Sequence, residues 1–98
     1  MRKKPSMSDM MTRLGHSQIQ HGKANDRIYL MKYDSRDRAS IVADLDQLAV
    51  SQSYSKIFVK VPQTETKLFL EADYREEARI PGFYQGEIEY VFMGKYFT

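Results

Sequence analysis

Apolar and polar positions alternate in short runs from residue 17 onward, and the period changes along the chain. In SQIQHGKANDRIYLMKY, residues 17–33, two extended runs (17–21 and 27–33) are joined by Gly-Lys-Ala-Asn-Asp. Gly22 and Asn25 tolerate the positive φ that a hairpin turn needs. In the second run Ile28 and Leu30 face one way and Tyr29, Met31 and Tyr33 the other, the two-sided pattern of an interior strand. Residues 34–37 supply turn and cap groups. Ile41, Leu45, Leu48 and Ala49 then recur at helical spacing, which predicts a helix over 37–51 laid on a sheet. KIFVKV sets Ile57, Val59 and Val61 against Lys56, Phe58 and Lys60, as a strand does, and Pro62 ends it. Thr64 is placed to cap a second helix that buries Leu68, Phe69 and Ala72. Residues 74–80 return to extended form and 81–86 turn. EIEYVFMGKYF then closes the pattern, with Ile88, Tyr90, Phe92 and Tyr96 on one side and Val91, Met93 and Phe97 on the other. The predicted fold is mixed α/β in the order β-β-α-β-α-β-β, with two helices and one five-stranded sheet. A helical crossover joins parallel neighbours, so the strands around the first helix should be parallel and the sheet order first, second, third, fifth, fourth.

Composition narrows the function classes. The 98 residues are 42% hydrophobic and 29% charged, the balance of a soluble domain with one core. Residues 1–15 read as a flexible polar leader and 16–98 as a single domain. The leader carries a net +3 from Arg2, Lys3, Lys4 and Arg13 against Asp9, and the rest of the chain nets −1. The Arg-Lys-Lys run reads as a solvated end or an anionic tether, and the body offers no basic face for nucleic acid. No apolar run reaches membrane-spanning length. With no cysteine there is no disulfide framework or thiolate metal site, and a cytoplasmic location is expected.

Several side chains are candidates for contacts. The tip HGKAND presents His21, Lys23 and Asp26, and tight hairpin tips often meet partners. His16 and His21 have no cysteine or suitably spaced carboxylate to complete a metal site, so they read as hairpin surface groups. Glu76 and Glu77 are neighbours in a predicted strand and point to opposite faces, which removes them as a catalytic pair. Arg79, Phe83 and Tyr84 combine a guanidinium with two rings around a Pro-Gly turn, either as partner anchors or as rings folded back on the core.

The segment LFLEADYREEARIPGFYQGEIEYVFMGKYF, in this order of elements, resembles the C-terminal half of a GNAT-superfamily N-acetyltransferase. More narrowly, IQHGKANDRIYLMKY, YSKIFVKVP and EEARIPGFYQG together resemble the N-terminal region of β-lysine N-acetyltransferases, which precedes a complete acetyltransferase domain in that family. The resemblance runs from about residue 17 to 98. It implies transfer of an acetyl group from acetyl-CoA to an amine by the full-length enzyme, and a following catalytic domain as partner.

Two departures from the family pattern bear on chemistry. The superfamily holds the cofactor's pyrophosphate on a Gln/Arg-x-x-Gly-x-Gly/Ala loop, where glycine lets the backbone approach. The matching junction here, YDSRDRASI, has no glycine and brings in Asp34 and Asp37, offset in part by Arg36 and Arg38. The family's acid is the tyrosine of Tyr-x-x-x-Gly-Phe; aligned on FLEADY it falls on Phe69, which has no proton to give. The expectation is a non-catalytic GNAT-like module that binds no cofactor and no metal itself and packs on, or shapes the substrate site of, a catalytic domain. Two other readings stay open: a free-standing homodimerisation module built on the last hairpin, and a small acetyltransferase that binds acetyl-CoA in an atypical way.

Overall fold

The computed structural model describes residues 9–82 and 87–97. Six strands form one mixed sheet: β1 (Met10–Leu14), β2 (Ser17–Gly22), β3 (Arg27–Lys32), β4 (Lys56–Pro62), β5 (Arg75–Ile80) and β6 (Tyr90–Tyr96). Their order across the sheet is β1-β2-β3-β4-β6-β5, and the pair β3/β4 is parallel while every other neighbouring pair is antiparallel. The five expected strands hold their expected order. The sixth is β1, from the stretch read as a leader: Met10 pairs with His21 and Leu14 with Ser17 across a two-residue turn. Hydrogen bonding supplied what its sparse apolar pattern did not. Gly15 sits first in that turn with φ +66°, the conformation a type II′ hairpin turn requires of that position.

Helix α1 (Ile41–Gln52) makes the crossover from β3 to β4, and the short α2 (Thr66–Leu70) leads from β4 toward β5. Both lie on one face of the sheet. Ile41, Leu45 and Ala49 of α1 and Phe69 of α2 meet Ile28, Leu30, Ile57, Val59, Val91 and Met93 in a single core, all at 0–1% exposure. The expected start of α1 at residue 37 moves to 41. Residues Ser35–Asp37 take a 3-10 turn because the Asp34 carboxylate accepts the Arg36 N–H and Asp37 is drawn to another partner. Thr64 does not cap α2; it lies in a 3-10 turn, Gln63–Glu65, with no side-chain cap bond, while Thr66 bonds back to the Gln63 carbonyl. Leu68 and Ala72 pack beside Phe69 as the spacing predicts.

Candidate functional site

The hairpin tip between β2 and β3 gathers three of the candidate residues around Tyr54, which follows α1. His21 Nδ1 is 2.8 Å from the Tyr54 hydroxyl, and the two rings meet edge to face. The Lys23 ammonium lies over the Tyr54 ring and donates to the Gln52 carbonyl at 2.7 Å. Asp26, at φ 55°, accepts the Ser55 N–H at 3.0 Å, and the bond from Ser55 holds its carboxyl below the usual range. These polar groups therefore dock the tip onto the end of α1. Arg79 stands at the opposite end of the sheet on edge strand β5, paired with Glu76 at 2.6 Å and Glu89 at 3.2 Å. Phe83 and Tyr84 lie outside the described residues. The four described candidates thus do not form one site.

The junction from β3 to α1 is built around carboxylates. Asp37 is buried; it accepts the His16 N–H at 3.0 Å and the Ser17 hydroxyl at 2.5 Å, while Ser17 Oγ accepts the Asp34 N–H at 2.9 Å. Burial opposes ionisation of Asp37, but the bonds from Ser17 and His16 outweigh it and keep the carboxyl below its usual range. Asp34 is held lower still by the Arg36 guanidinium, which donates to both of its oxygens. Two charged carboxylates therefore stand before the first turn of α1, and Asp37 joins that turn to the β1–β2 hairpin.

Sequence reasoning did not find the wedge between β3 and β4. Their registered pairing runs from Arg27/Lys56 to Leu30/Val59, whereas β3 continues to Lys32 and β4 to Pro62. The strands part at their carboxyl ends, where open α/β sheets place ligands. The opening, about 320 Å³, is lined by Met31, Lys32, Tyr33, Lys60, Pro62 and Tyr90. Tyr33 spans it: its ring meets Phe69 edge to face, and its hydroxyl donates to Glu65 at 3.0 Å. Arg38 grips the same carboxylate at 3.0 and 2.6 Å, which lowers the Glu65 pKa. Burial, with the Glu65 bond second, pushes the Tyr33 hydroxyl up to about 12, away from acid–base work near neutrality. Phe69, on the position aligned with the family's acid, is fully buried. A parallel pairing is legible in sequence; the point where its ladder stops is not.

The face of the sheet away from the helices is the second feature. Tyr29, Phe58, Phe92 and Tyr96 stand on it in neighbouring strands, with Tyr29 near Phe92 at 6.5 Å and Phe58 edge to face with Tyr96 at 5.9 Å between ring centres. A shallow depression of about 460 Å³ opens over Tyr29, Phe58, Ala78 and Phe92, with Gln20, Arg27 and Glu77 at its margin. A β-bulge in β5 at Glu76/Ala78 turns Glu77 onto this face, where the Tyr96 hydroxyl donates to it at 2.7 Å. Among the described residues no three His, Cys, Asp or Glu converge as metal ligands, and no helix is long and apolar enough to cross a membrane.

No family model matches the sequence. The chain is similar to the beta-lysine N(6)-acetyltransferase of Methanococcus maripaludis, at 32% identity over 84 residues, a match covering 86% of this chain and 30% of that protein. The chain thus spans less than a third of the length of the relative it matches.

Proposed function

We propose that the chain is a GNAT-like module of a β-lysine-type N-acetyltransferase, serving a catalytic domain by packing on it or shaping its substrate site and not transferring acetyl groups itself. Likeness to part of an acetyltransferase supports the first half of this reading. The observation that carries the second is the β3–α1 junction. A diphosphate needs bare N–H groups and positive potential at a helix start. This start is faced by Asp34 and Asp37, both held ionised, and no glycine in 33–41 lets the backbone approach a ligand. Phe69 supports it too, since a ring buried in the core returns no proton to a departing thiolate. A cytoplasmic location belongs to the same proposal.

The wedge favours a second reading, a small acetyltransferase that takes acetyl-CoA between its parted strands, with Lys32 and Lys60 near the phosphates. One titration decides between them. Acetyl-CoA added to the isotope-labelled chain should leave the amide shifts of residues 31–41 and 60–62 unchanged up to millimolar concentration. Saturable shifts there at micromolar levels would establish the second reading in place of the first.

A further inference from the structure

The helix-free face of the sheet is aromatic in the middle and mixed at its margins, where Met11 of β1 stands opposite Gln20 and Ile80 of β5 opposite Tyr90. Gln18 and Gln20 of β2 share it with Arg13 of β1, and Arg75 stands on it from β5, close enough to Tyr96 to oppose the rise in its pKa. The rings of Tyr29, Phe58 and Phe92 occupy β3, β4 and β6, with Tyr96 further along β6 and 47% exposed. An antiparallel sheet that faces water carries polar side chains on its wet face, and clustered rings on a surface mark a contact. Three adjacent strands span about 10 Å, the width of one helix. Lys56, Lys60 and Arg75 flank the rings and form no ion pair among the described residues. Of the nearby carboxylates, Asp9 is paired with Arg27, and Glu77, which accepts from the Tyr96 hydroxyl, sets one negative charge against these three cations. The surround is therefore positive.

We infer that this face is where the acetyltransferase domain docks, through an amphipathic segment whose apolar stripe covers Tyr29, Phe58, Phe92 and Tyr96 and whose flanking Asp or Glu residues meet Lys56, Lys60 and Arg75. The inference rests on the function proposed above and names the surface and the chemistry of the partner. Charge selects the occupant: two copies of this face set against each other oppose basic margin to basic margin, whereas a carboxylate-bearing segment complements it. The Methanococcus relative, of which the matched stretch is 30%, has the polypeptide to supply such a segment.

The test is an NMR titration of the isotope-labelled 98-residue chain with the remainder of the Methanococcus relative, purified as a folded, monodisperse protein. Saturable shifts on Tyr29, Phe58, Phe92 and Tyr96 are expected, weakening as salt is raised. K60E combined with R75E should weaken binding about tenfold while the chain stays folded by circular dichroism, because neither side chain is buried in the core or ion-paired in the free chain. Binding mapped to the helical face, the wedge or the hairpin tip would overturn the docking surface and leave the proposed function standing. Binding nowhere would overturn both. Self-association through the ring-bearing face, seen by sedimentation of the chain alone, would replace the acetyltransferase domain with a second copy.

Discussion

Among the described residues, Tyr74 is the most buried polar side chain that lacks a partner. Its ring packs edge to face on Phe69 at 2% exposure, and its hydroxyl finds no hydrogen bond among the described residues. Burial, with the nearby Asp46 charge second, pushes its pKa far up. A buried hydroxyl without a partner costs free energy, so Tyr74→Phe should stabilise the chain by about 1 kcal/mol in urea unfolding; destabilisation would mean the oxygen is satisfied. Asp37 is the opposite case, a buried carboxylate with its bonds made. A Cβ on Gly15 would come within 2.6 Å of its Oδ1 at a positive φ, so Gly15→Ala should cost about 2 kcal/mol and Asp37→Ala about 3. Because the pKa of Asp37 is depressed when folded, its stabilisation is present above about pH 4 and lost as pH falls through the folded value. The acid limb of the stability curve should flatten in Asp37→Ala. Sequence placed Asp37 at a turn but gave no sign of its partners, because Ser17 and His16 are about twenty residues away along the chain.

At the scale of elements, periodicity found what burial enforces. β3, β4 and β6 and the buried stripe of α1 follow from alternation and helical spacing, since each must put its apolar side in the core. An edge element held mainly by hydrogen bonds was not legible: β1, with four of five residues exposed and only Leu14 reaching the core, has no such stripe. The first turn expected of α1 failed for a related reason, since the Asp34 side chain takes the Arg36 N–H and the Asp37 carboxylate is committed to His16 and Ser17. The wedge was hidden because it is tertiary, with Tyr33 bound to Glu65, a carboxylate that Arg38 also grips, where β3 and β4 part. Tyr33→Phe should test this strut. It removes the Glu65 bond, at about 1 kcal/mol near neutrality. The tyrosine's raised pKa means its contribution is whole below about pH 10 and lost as pH rises through about 12. The variant's alkaline unfolding should accordingly be shallower than the parent's over that interval; identical curves would show that the hydroxyl bears no load.

For the whole molecule, the sheet has one face closed by its own helices and another that carries rings, and the sequence pointed to this through strands apolar on both sides. The reading that both helices cover the core holds, with α1 and α2 in one cluster on the same side. The order β4-β6-β5 has a separate consequence, in time. β6 is the last strand of the sheet to be synthesised, yet it lies between two earlier ones and pairs with both. Until Tyr96 leaves the ribosome, β4 keeps an open edge beside Phe58 and Val59, and β5 has no neighbour at all. The hairpins β1–β2 and β2–β3 can form locally as they emerge, whereas β3–β4 joins residues 29 apart along the chain and β4–β6 residues 28 to 40 apart. A nascent chain that pauses before β6 therefore offers an unpaired apolar strand edge to any other chain nearby, which makes the interval before that strand appears the time when a chaperone is most needed.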